Sequence, residues 1–182
     1  DNKINIMFQN VATFRRKYDY LNRDFACKNS DVLLLSECHT VPQRDRGLAL
    51  DDFDMLRMSG TNDPNSASGQ LCFLNKKSHI GHFHFVNDNT SGGIYKHTKD
   101  HLELSLFEMR LKNGTPIHIC HVYNNPGNSR RSFWNEFKTF LRTHLQVDAN
   151  KKIISNLFVI GDFNINVEED NMVYINKLQK KL

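Results

Sequence analysis

The chain has 182 residues, of which 39% are hydrophobic and 24% charged, a composition that is ordinary for a soluble globular protein. This length suits one domain with a sizeable core, and no apolar run approaches the length of a membrane span. The formal charge of +4 is compatible with a polyanionic partner without requiring one.

Alternating and fully apolar runs predict a series of strands. Val-Leu-Leu-Leu within residues 31–36 is typical of a strand buried on both faces, and Asn113-Gly114 predicts a hairpin turn between two alternating segments. The predicted strands cover residues 3–8, 31–36, 53–58, 70–75, 80–86, 101–111, 117–122 and 156–160, and residues 39–52 are expected to form a polar loop.

Apolar side chains at helical spacing predict two amphipathic helices. The first is marked by Phe14, Tyr18, Leu21 and Phe25. The second follows a cap at Asn128 or Ser129 and is marked by Phe133, Trp134, Phe137, Phe140, Leu141 and Leu145. A third helix is expected near 170–181. Helices interleaved with strands and hairpins indicate an α/β or α+β fold with a mixed sheet.

Four cysteines are widely spaced and include no CxxC pair, which is typical of reduced, buried thiols in an intracellular protein. They are Cys27, Cys38, Cys72 and Cys120. A zinc site formed by Cys38-His39 and Cys120-His121 is disfavoured, because neighbouring residues of a strand point to opposite faces.

Four predicted strands end in polar groups that a phosphate-cleaving site could use. In the most informative ending, Asp162 and Asn164 follow a buried strand and Gly161, and their spacing places both on one face. A carboxylate and an amide suit a hard metal and a phosphate oxygen, although an ordinary turn is the alternative. The other endings are Gln9-Asn10, Ser36-Glu37 and Tyr123-Asn124-Asn125-Pro126.

Together these endings resemble the motifs of the endonuclease/exonuclease/phosphatase superfamily over residues 3–164, most specifically in Glu37 and Gly161-Asp162-Phe163-Asn164. The subfamily that they match best comprises endonuclease-like domains of mobile elements, including retrotransposons and Helitron or PIF1-helicase-like elements. The resemblance implies a four-layer DNase-I-like sandwich of two mixed sheets with outer helices. It also implies Mg²⁺- or Mn²⁺-dependent phosphodiester hydrolysis, a DNA partner and a nuclear location.

The resemblance also implies roles for single residues. Glu37 would hold the metal, and Asn10 would help to orient it or a phosphate oxygen. Asp162 would position or activate the attacking water, and Asn164 would bind the phosphate. Tyr123 would donate a hydrogen bond to the phosphate or assist the leaving group.

The chain departs from the superfamily pattern after Asn164. A Ser-Asp-His-like motif is expected there, yet all nine histidines lie at or before His144. We therefore interpret residues 1–182 as a single domain from a larger polypeptide, such as one with a reverse transcriptase or helicase, that lacks its C-terminal strands and part of its catalytic apparatus. The remainder was removed, lies on another polypeptide or was disordered.

Three basic clusters follow the predicted site residues. Cations at a helix N-terminus oppose the helix dipole, and a bound anion would relieve this. We therefore predict that the clusters hold nucleic-acid phosphates, and a solvated basic surface is the alternative. Their members are Arg15, Arg16 and Lys17 at the first helix, Arg44 and Arg46 after Glu37, and Arg130 and Arg131 at the second helix.

His82 and His84 share one face of a predicted strand, as metal ligands could. Because the sequence shows no third ligand, packing of the rings on a half-exposed strand is the favoured interpretation.

Three functions are compatible with these patterns. The leading one is a nuclease that nicks DNA for a mobile element. The second is a phosphatase or RNA exonuclease of the same superfamily, such as a phosphoinositide phosphatase or a deadenylase, because the metal chemistry is shared. The third is a catalytically incomplete module with a binding or structural role.

Overall fold

Two four-stranded mixed sheets form the centre of the fold in a computed structural model of the chain. The structure describes residues 3–45, 47–59, 69–88, 102–111, 114, 116–144 and 156–164. Its elements are β1 Ile6–Asn10, α1 Phe14–Arg23, α2 Phe25–Lys28, β2 Val32–Ser36, α3 Pro42–Asp45, β3 Phe53–Met58, β4 Leu71–Asn75, β5 Ile80–Asp88, β6 Leu102–Leu111, β7 Ile117–Asn124, α4 Arg130–His144 and β8 Leu157–Asp162.

Each sheet contains one parallel pair of strands. The first sheet has the order β1-β2-β4-β3, in which β1 and β2 are parallel. The second has the order β5-β6-β7-β8, in which β7 and β8 are parallel. The predicted hairpin is confirmed as the antiparallel pair β6–β7. Because parallel neighbours run in the same direction, the C-terminal ends of β1 and β2 lie side by side, and so do those of β7 and β8.

Strand β2 is buried on both faces, as its sequence predicts. Leu33 and Leu35 pack with Phe14 of α1, whereas Val32 and Leu34 pack towards the second sheet. This division follows from the alternation of side chains along a strand. Helix α1 therefore covers the outer face of the first sheet, and the inner face of this sheet packs against the second sheet.

The second sheet is likewise covered on its outer face by a helix. Leu104 and Leu106 of β6 pack with Phe133 and Phe137 of α4, whereas Phe107 packs in the core between the sheets. The layers are thus helix, sheet, sheet and helix. The predicted arrangement of two mixed sheets packed face to face with outer helices is confirmed.

The space between the sheets is polar at one end. Ser36 Oγ lies 3.0 Å from His121 Nε2. Ser105 Oγ donates to Gln70 Oε1 at 2.6 Å, and Gln70 Nε2 donates to the His121 carbonyl at 3.3 Å. We call these four residues the polar seam. It joins the two sheets through directional bonds where β2 and β7 approach their C-terminal ends.

The first helix differs from the prediction at its C-terminal end. Asp24 is extended, and its side chain accepts a hydrogen bond from the Cys27 amide at 2.8 Å, so it ends α1 and caps α2. The new helix starts out of phase with α1. The assignment of Phe25 to the buried stripe was therefore wrong, since this side chain is 81% exposed.

Other predictions differ in smaller ways. Strand β1 begins at Ile6 rather than at residue 3, and α3 forms within the stretch expected to be a loop. The predicted helix near 170–181 lies outside the described residues, as does Leu145. No described helix is both long enough and apolar enough to cross a membrane.

All four cysteines are buried and unpaired, as expected. Cys38 packs in the core beneath α1, and Cys120 packs in the core beneath α4. These cores lie on the outer faces of different sheets, so the two thiols belong to separate clusters.

Gly161 lies within β8 rather than after it, which corrects its expected place at the strand exit. It is paired with Val122 of β7, and a Cβ atom at this position would lie 1.8 Å from the Val122 carbonyl oxygen. Glycine is therefore required because the two backbones approach closely, and its φ of 156° adds to that requirement.

We predict that Gly161→Ala lowers the free energy of unfolding by roughly 3 kcal/mol, because the strands must separate to admit the methyl group. Gly47→Ala is the matched control, since a Cβ there meets nothing within 4 Å. Urea unfolding of both variants measures the difference. Equal stability of the two variants would contradict the close approach of β8 to β7.

Candidate active site

The ends of four strands meet at one edge of the sandwich. Asn10 is paired with Ser36 at the end of the first parallel pair, and Tyr123 is paired with Asp162 at the end of the second. Asn10 Nδ2 donates to Asp162 Oδ2 at 2.9 Å, which connects the two sheets directly. Residues separated by 152 positions in the sequence are thus in contact.

Glu37 follows β2 immediately and contacts the second sheet through Tyr123. The Tyr123 hydroxyl lies close enough to the Glu37 carboxylate for the two groups to interact electrostatically. Burial above all, and then the neighbouring carboxylates of Glu37, Glu103 and Asp162, raise the pKa of Tyr123 well above its ordinary value. Tyr123 therefore keeps its proton at physiological pH in the protein without a bound metal.

The turn after β8 is fixed by hydrogen bonds on both sides of Asp162. The Asn164 amide nitrogen donates to Asp162 Oδ1 at 3.1 Å, while Asp162 Oδ2 accepts the bond from Asn10. Asn164 Nδ2 donates to the Asn124 carbonyl at 2.7 Å. Both oxygens of the Asp162 carboxylate are thus oriented, which is what a group that positions a water molecule requires.

The structure brings together all five predicted catalytic residues, Asn10, Glu37, Tyr123, Asp162 and Asn164. Their chemical roles remain predictions.

Backbone strain is concentrated at this edge. All five non-glycine residues with positive φ in the described part of the chain follow β1, β2 or β8, and they are Ala12, Thr13, Glu37, His39 and Asn164. Such conformations cost about 1–3 kcal/mol each and persist only where the surrounding structure fixes them. Their location is typical of a functional site.

Two asparagines hold this turn. Asn124 belongs to a predicted strand ending but had no predicted role, and Asn128 was predicted only as a possible cap of α4. Asn124 Nδ2 donates to the Phe163 carbonyl at 2.8 Å, and Asn128 Nδ2 donates to Asn124 Oδ1 at 2.9 Å. Of the two predicted caps of α4, Ser129 fills the position, because its Oγ accepts the Ser132 amide at 3.1 Å. The run of amides around Pro126 was the signal that could have identified these positioning residues.

Glu103 is a further acidic residue that the sequence analysis missed. It is paired with Tyr123 across the hairpin and is only 1% exposed. Its Oε1 accepts the Gly69 amide at 2.9 Å. A charged residue between Leu102 and Leu104 was the available signal, because the alternation of β6 turns it inward.

The donor set fits a hard divalent cation. Glu37 and Asp162 offer carboxylate oxygens and Asn10 an amide oxygen, which are the ligands that Mg²⁺ and Mn²⁺ prefer. Asn10 Oδ1 is oriented by the Ala12 amide, which donates to it at 3.2 Å. Few carboxylates suit Mg²⁺, because this ion retains several of its water molecules.

Two of the predicted basic clusters are joined by one buried carboxylate. Asp45 Oδ1 lies 2.5 Å from Arg15 Nη2 and 3.0 Å from Arg44 Nε. Burial alone would raise the pKa of Asp45, but hydrogen bonds from Arg44, Arg15 and the Val41 amide hold it well below its ordinary value. Asp45 therefore offsets part of the positive charge of these two clusters.

The remaining cations lie on exposed first turns of helices. Arg16 and Lys17 are exposed on α1, whose first turn contains no acidic residue and whose Thr13 cap makes no side-chain hydrogen bond. Arg130 and Arg131 are exposed at the start of α4. Arg46 lies outside the described residues. Phosphate binding by these side chains remains a prediction.

Comparison with solved structures reveals the same architecture in three proteins. An endonuclease/exonuclease/phosphatase family protein from Bacteroides thetaiotaomicron matches 96% of this chain with a TM-score of 0.62 and 12% identity. The Xenopus laevis APE2 catalytic domain matches 95% with a TM-score of 0.52 and 12% identity. TDP2 from C. elegans matches 91% with a TM-score of 0.51 and 15% identity.

The chain shares the fold of these proteins. The predicted DNase-I-like sandwich is thereby confirmed. The match spans 67% of the first structure, 67% of the second and 49% of the third. No family model and no curated protein matches the sequence.

The polar seam beside the site contains a histidine that must stay neutral. Burial lowers the pKa of His121 from 6.5 to about 3, and its Nδ1 has no hydrogen-bond partner. In the unfolded chain this side chain takes up a proton near pH 6.5, whereas in the folded protein it does not. Acidification below pH 6.5 therefore favours unfolding, until the pH reaches the folded-state pKa.

We predict that between pH 7 and pH 5 the wild-type protein loses about 2 kcal/mol more of its free energy of unfolding than His121→Gln loses. The reason is that glutamine cannot take up the proton. Urea unfolding at several pH values measures this difference, and His79→Gln, at an exposed histidine, should follow the wild type. Parallel pH profiles for the wild type and His121→Gln would contradict the assignment.

Proposed function

We propose that this chain is a metal-dependent phosphodiesterase domain that acts as a DNA endonuclease. The observation that carries the proposal is the convergence of Asn10, Glu37, Tyr123, Asp162 and Asn164 at one edge of the sandwich. The fold shared with an endonuclease/exonuclease/phosphatase family protein supports the reaction type. We further propose that the nuclease nicks DNA for a mobile element. The resemblance of its motifs to endonuclease-like domains of such elements supports this.

The metal would be held by Glu37, with Asn10 beside it. When bound, Mg²⁺ would neutralise charge developing on the phosphate and polarise the phosphoryl oxygen. Asn10 would also orient Asp162, because its amide nitrogen donates a hydrogen bond to the Asp162 carboxylate. The two residues would thereby couple the cation site to the group that positions water.

Asp162 would orient the attacking water. Its two oxygens are already held by Asn10 and by the Asn164 amide, so the carboxylate needs little reorganisation when substrate binds. A fixed carboxylate within hydrogen-bond reach of water can also accept its proton during attack.

Tyr123 and Asn164 would contact the phosphate. The raised pKa of Tyr123 keeps its proton in place, so the hydroxyl can donate to a phosphate or leaving-group oxygen. In the structure this hydroxyl lies near the Glu37 carboxylate. A phosphate oxygen would accept a hydrogen bond from the hydroxyl while Glu37 engages the cation.

DNA is the substrate that the charge distribution favours. Cationic first turns at α1 and α4 follow strands that end in site residues, so a polyanion could pass along this edge. A small phosphoester substrate would need fewer such contacts.

The first test is the nicking of supercoiled plasmid in the presence of Mg²⁺. We expect Glu37→Gln and Asp162→Asn to lower the rate by at least about 100-fold, because the first weakens the metal site and the second removes the carboxylate that orients the attacking water. Asp54→Asn is the matched control, since this exposed carboxylate lies on β3 at the far edge of the first sheet. Chelation of the metal should abolish nicking by every active form.

Activity that survives both active-site substitutions would reject the assigned site. A wild-type protein that binds plasmid without nicking it would favour a binding module. Hydrolysis of RNA or of small phosphoesters with no action on plasmid would favour the other enzymes of the superfamily.

The second test is the salt dependence of DNA binding. We expect Arg130→Ala/Arg131→Ala to reduce the slope of log K against log salt, since each phosphate contact contributes about 0.9 to it. Arg15→Ala/Arg16→Ala should reduce it by a smaller amount, because Asp45 already offsets the charge of Arg15. The control Arg23→Ala/Lys28→Ala removes two exposed cations at the far ends of α1 and α2. A slope unchanged in the first two variants would show that these clusters are merely solvated.

A further inference from the structure

A second group of potential metal ligands lies on the outer face of the second sheet. Ligand atoms of His82, His84 and Glu108 all lie within 4.8 Å of one another. His84 is directly opposite Glu108 in the register of β5 and β6, and the rings of His82 and His84 are 4.5 Å apart. The structure therefore supplies the third ligand that the sequence did not reveal.

This cluster is separate from the candidate active site. Leu104, Leu106 and Glu108 alternate onto the outer face of β6, where the two leucines pack against α4. Glu103 and Tyr123 belong to the opposite face. Glu108 is also five residues from Glu103 along β6, a separation of about 17 Å in a strand. A metal here would not share ligands with the catalytic edge.

Glu108 is held from its other side by a third histidine. His118 of β7 is opposite Glu108, and its Nε2 lies 3.5 Å from Glu108 Oε2. The Nδ1 atom of His118 is buried and has no hydrogen-bond partner. His118 thus holds one oxygen of the carboxylate from the β7 side, as residues that support a metal ligand commonly do.

We propose that His82, His84 and Glu108 form a binding site for Zn²⁺ or a similar transition-metal ion, with His118 as the positioning residue. Two imidazoles and one carboxylate are a ligand set that zinc accepts, and a water molecule would complete the tetrahedron. Ligand atoms around zinc are about 3.4 Å apart, so the side chains need to close by roughly 1.5 Å at most. Imidazole nitrogens select against Mg²⁺, which distinguishes this site from the oxygen-rich catalytic edge.

Arg110 competes with the metal. Its Nε and Nη2 atoms each lie 2.9 Å from Glu108 Oε1, so a guanidinium charge occupies one oxygen of the proposed ligand. A bound cation must displace this contact or tolerate the charge beside it. Removing the guanidinium should therefore tighten metal binding, although the same change would weaken a simple surface ion pair.

The bound ion would link the edge strand β5 to its neighbour β6. Strand β5 is the outermost strand of the second sheet, and two ligands come from it while the third comes from its neighbour β6. A ligand that binds only the folded state raises the unfolding temperature in proportion to the logarithm of its concentration. The site consequently has a readout in stability that does not involve catalysis, and it does not depend on the proposed nuclease function.

The test is a titration of the full chain with Zn²⁺, and separately with Co²⁺, in excess Mg²⁺ near neutral pH, where histidine can ligate. We expect one Zn²⁺ per chain, a rise in the unfolding temperature and a Co²⁺ absorption band of four-coordinate type. His82→Gln, His84→Gln and Glu108→Gln should each weaken binding by at least about tenfold. Arg110→Gln should bind more tightly than the wild type.

Two controls separate this site from the others. His79→Gln removes an exposed histidine just before β5, and Glu37→Gln alters the catalytic edge, and both should bind zinc as the wild type does. The proposal is overturned if the wild type binds no Zn²⁺, if His84→Gln and His79→Gln bind equally, if Glu37→Gln abolishes binding, or if Arg110→Gln weakens it.

Discussion

The hydrogen bond from Asn10 to Asp162 is the contact on which the arrangement of this site depends. It joins the end of the first strand to the end of the last described strand, and these strands belong to different sheets. A shift of one sheet along the other by a single pair of residues, about 7 Å, would break it. The bond can form only because each sheet contributes a parallel pair of strands whose ends lie at the same edge. The strand order therefore determines which side chains meet at this site.

The sequence predicted the parts of the fold that depend on local pattern. The buried strand around Leu34 was recognised from its unbroken apolar run. Polar residues marked the region in which strands end, although Asn10, Tyr123 and Asp162 lie within their strands rather than after them. The hydrophobic period and the approximate boundaries of an element can be inferred from residues that are close in the sequence. Phe25 shows the limit of this reasoning, because its helical spacing continues the stripe of α1 although Asp24 has already ended that helix.

The residues that were missed depend on contacts between distant segments. Glu103 is significant because Gly69 and Tyr123 lie against it, and the Glu108 cluster because His82 and His84 are on a strand more than 20 residues earlier. Such relations are set by strand register, which no periodicity within one segment reveals. A charged residue at an inward position of a strand is the local sign of such a contact, since burial without a partner would be costly.

The polar seam divides the interface between the sheets into two unlike halves. Beside the site, directional hydrogen bonds from Ser36 and Gln70 fix how the sheets are aligned, whereas the opposite half is filled by side chains such as Val32 and Met109. Apolar packing tolerates exchanges that conserve volume, but a buried hydrogen bond tolerates very little. Substitutions can therefore accumulate in the apolar half while the edge that carries the candidate site keeps its geometry, which is compatible with a shared fold between sequences that are only 12% identical.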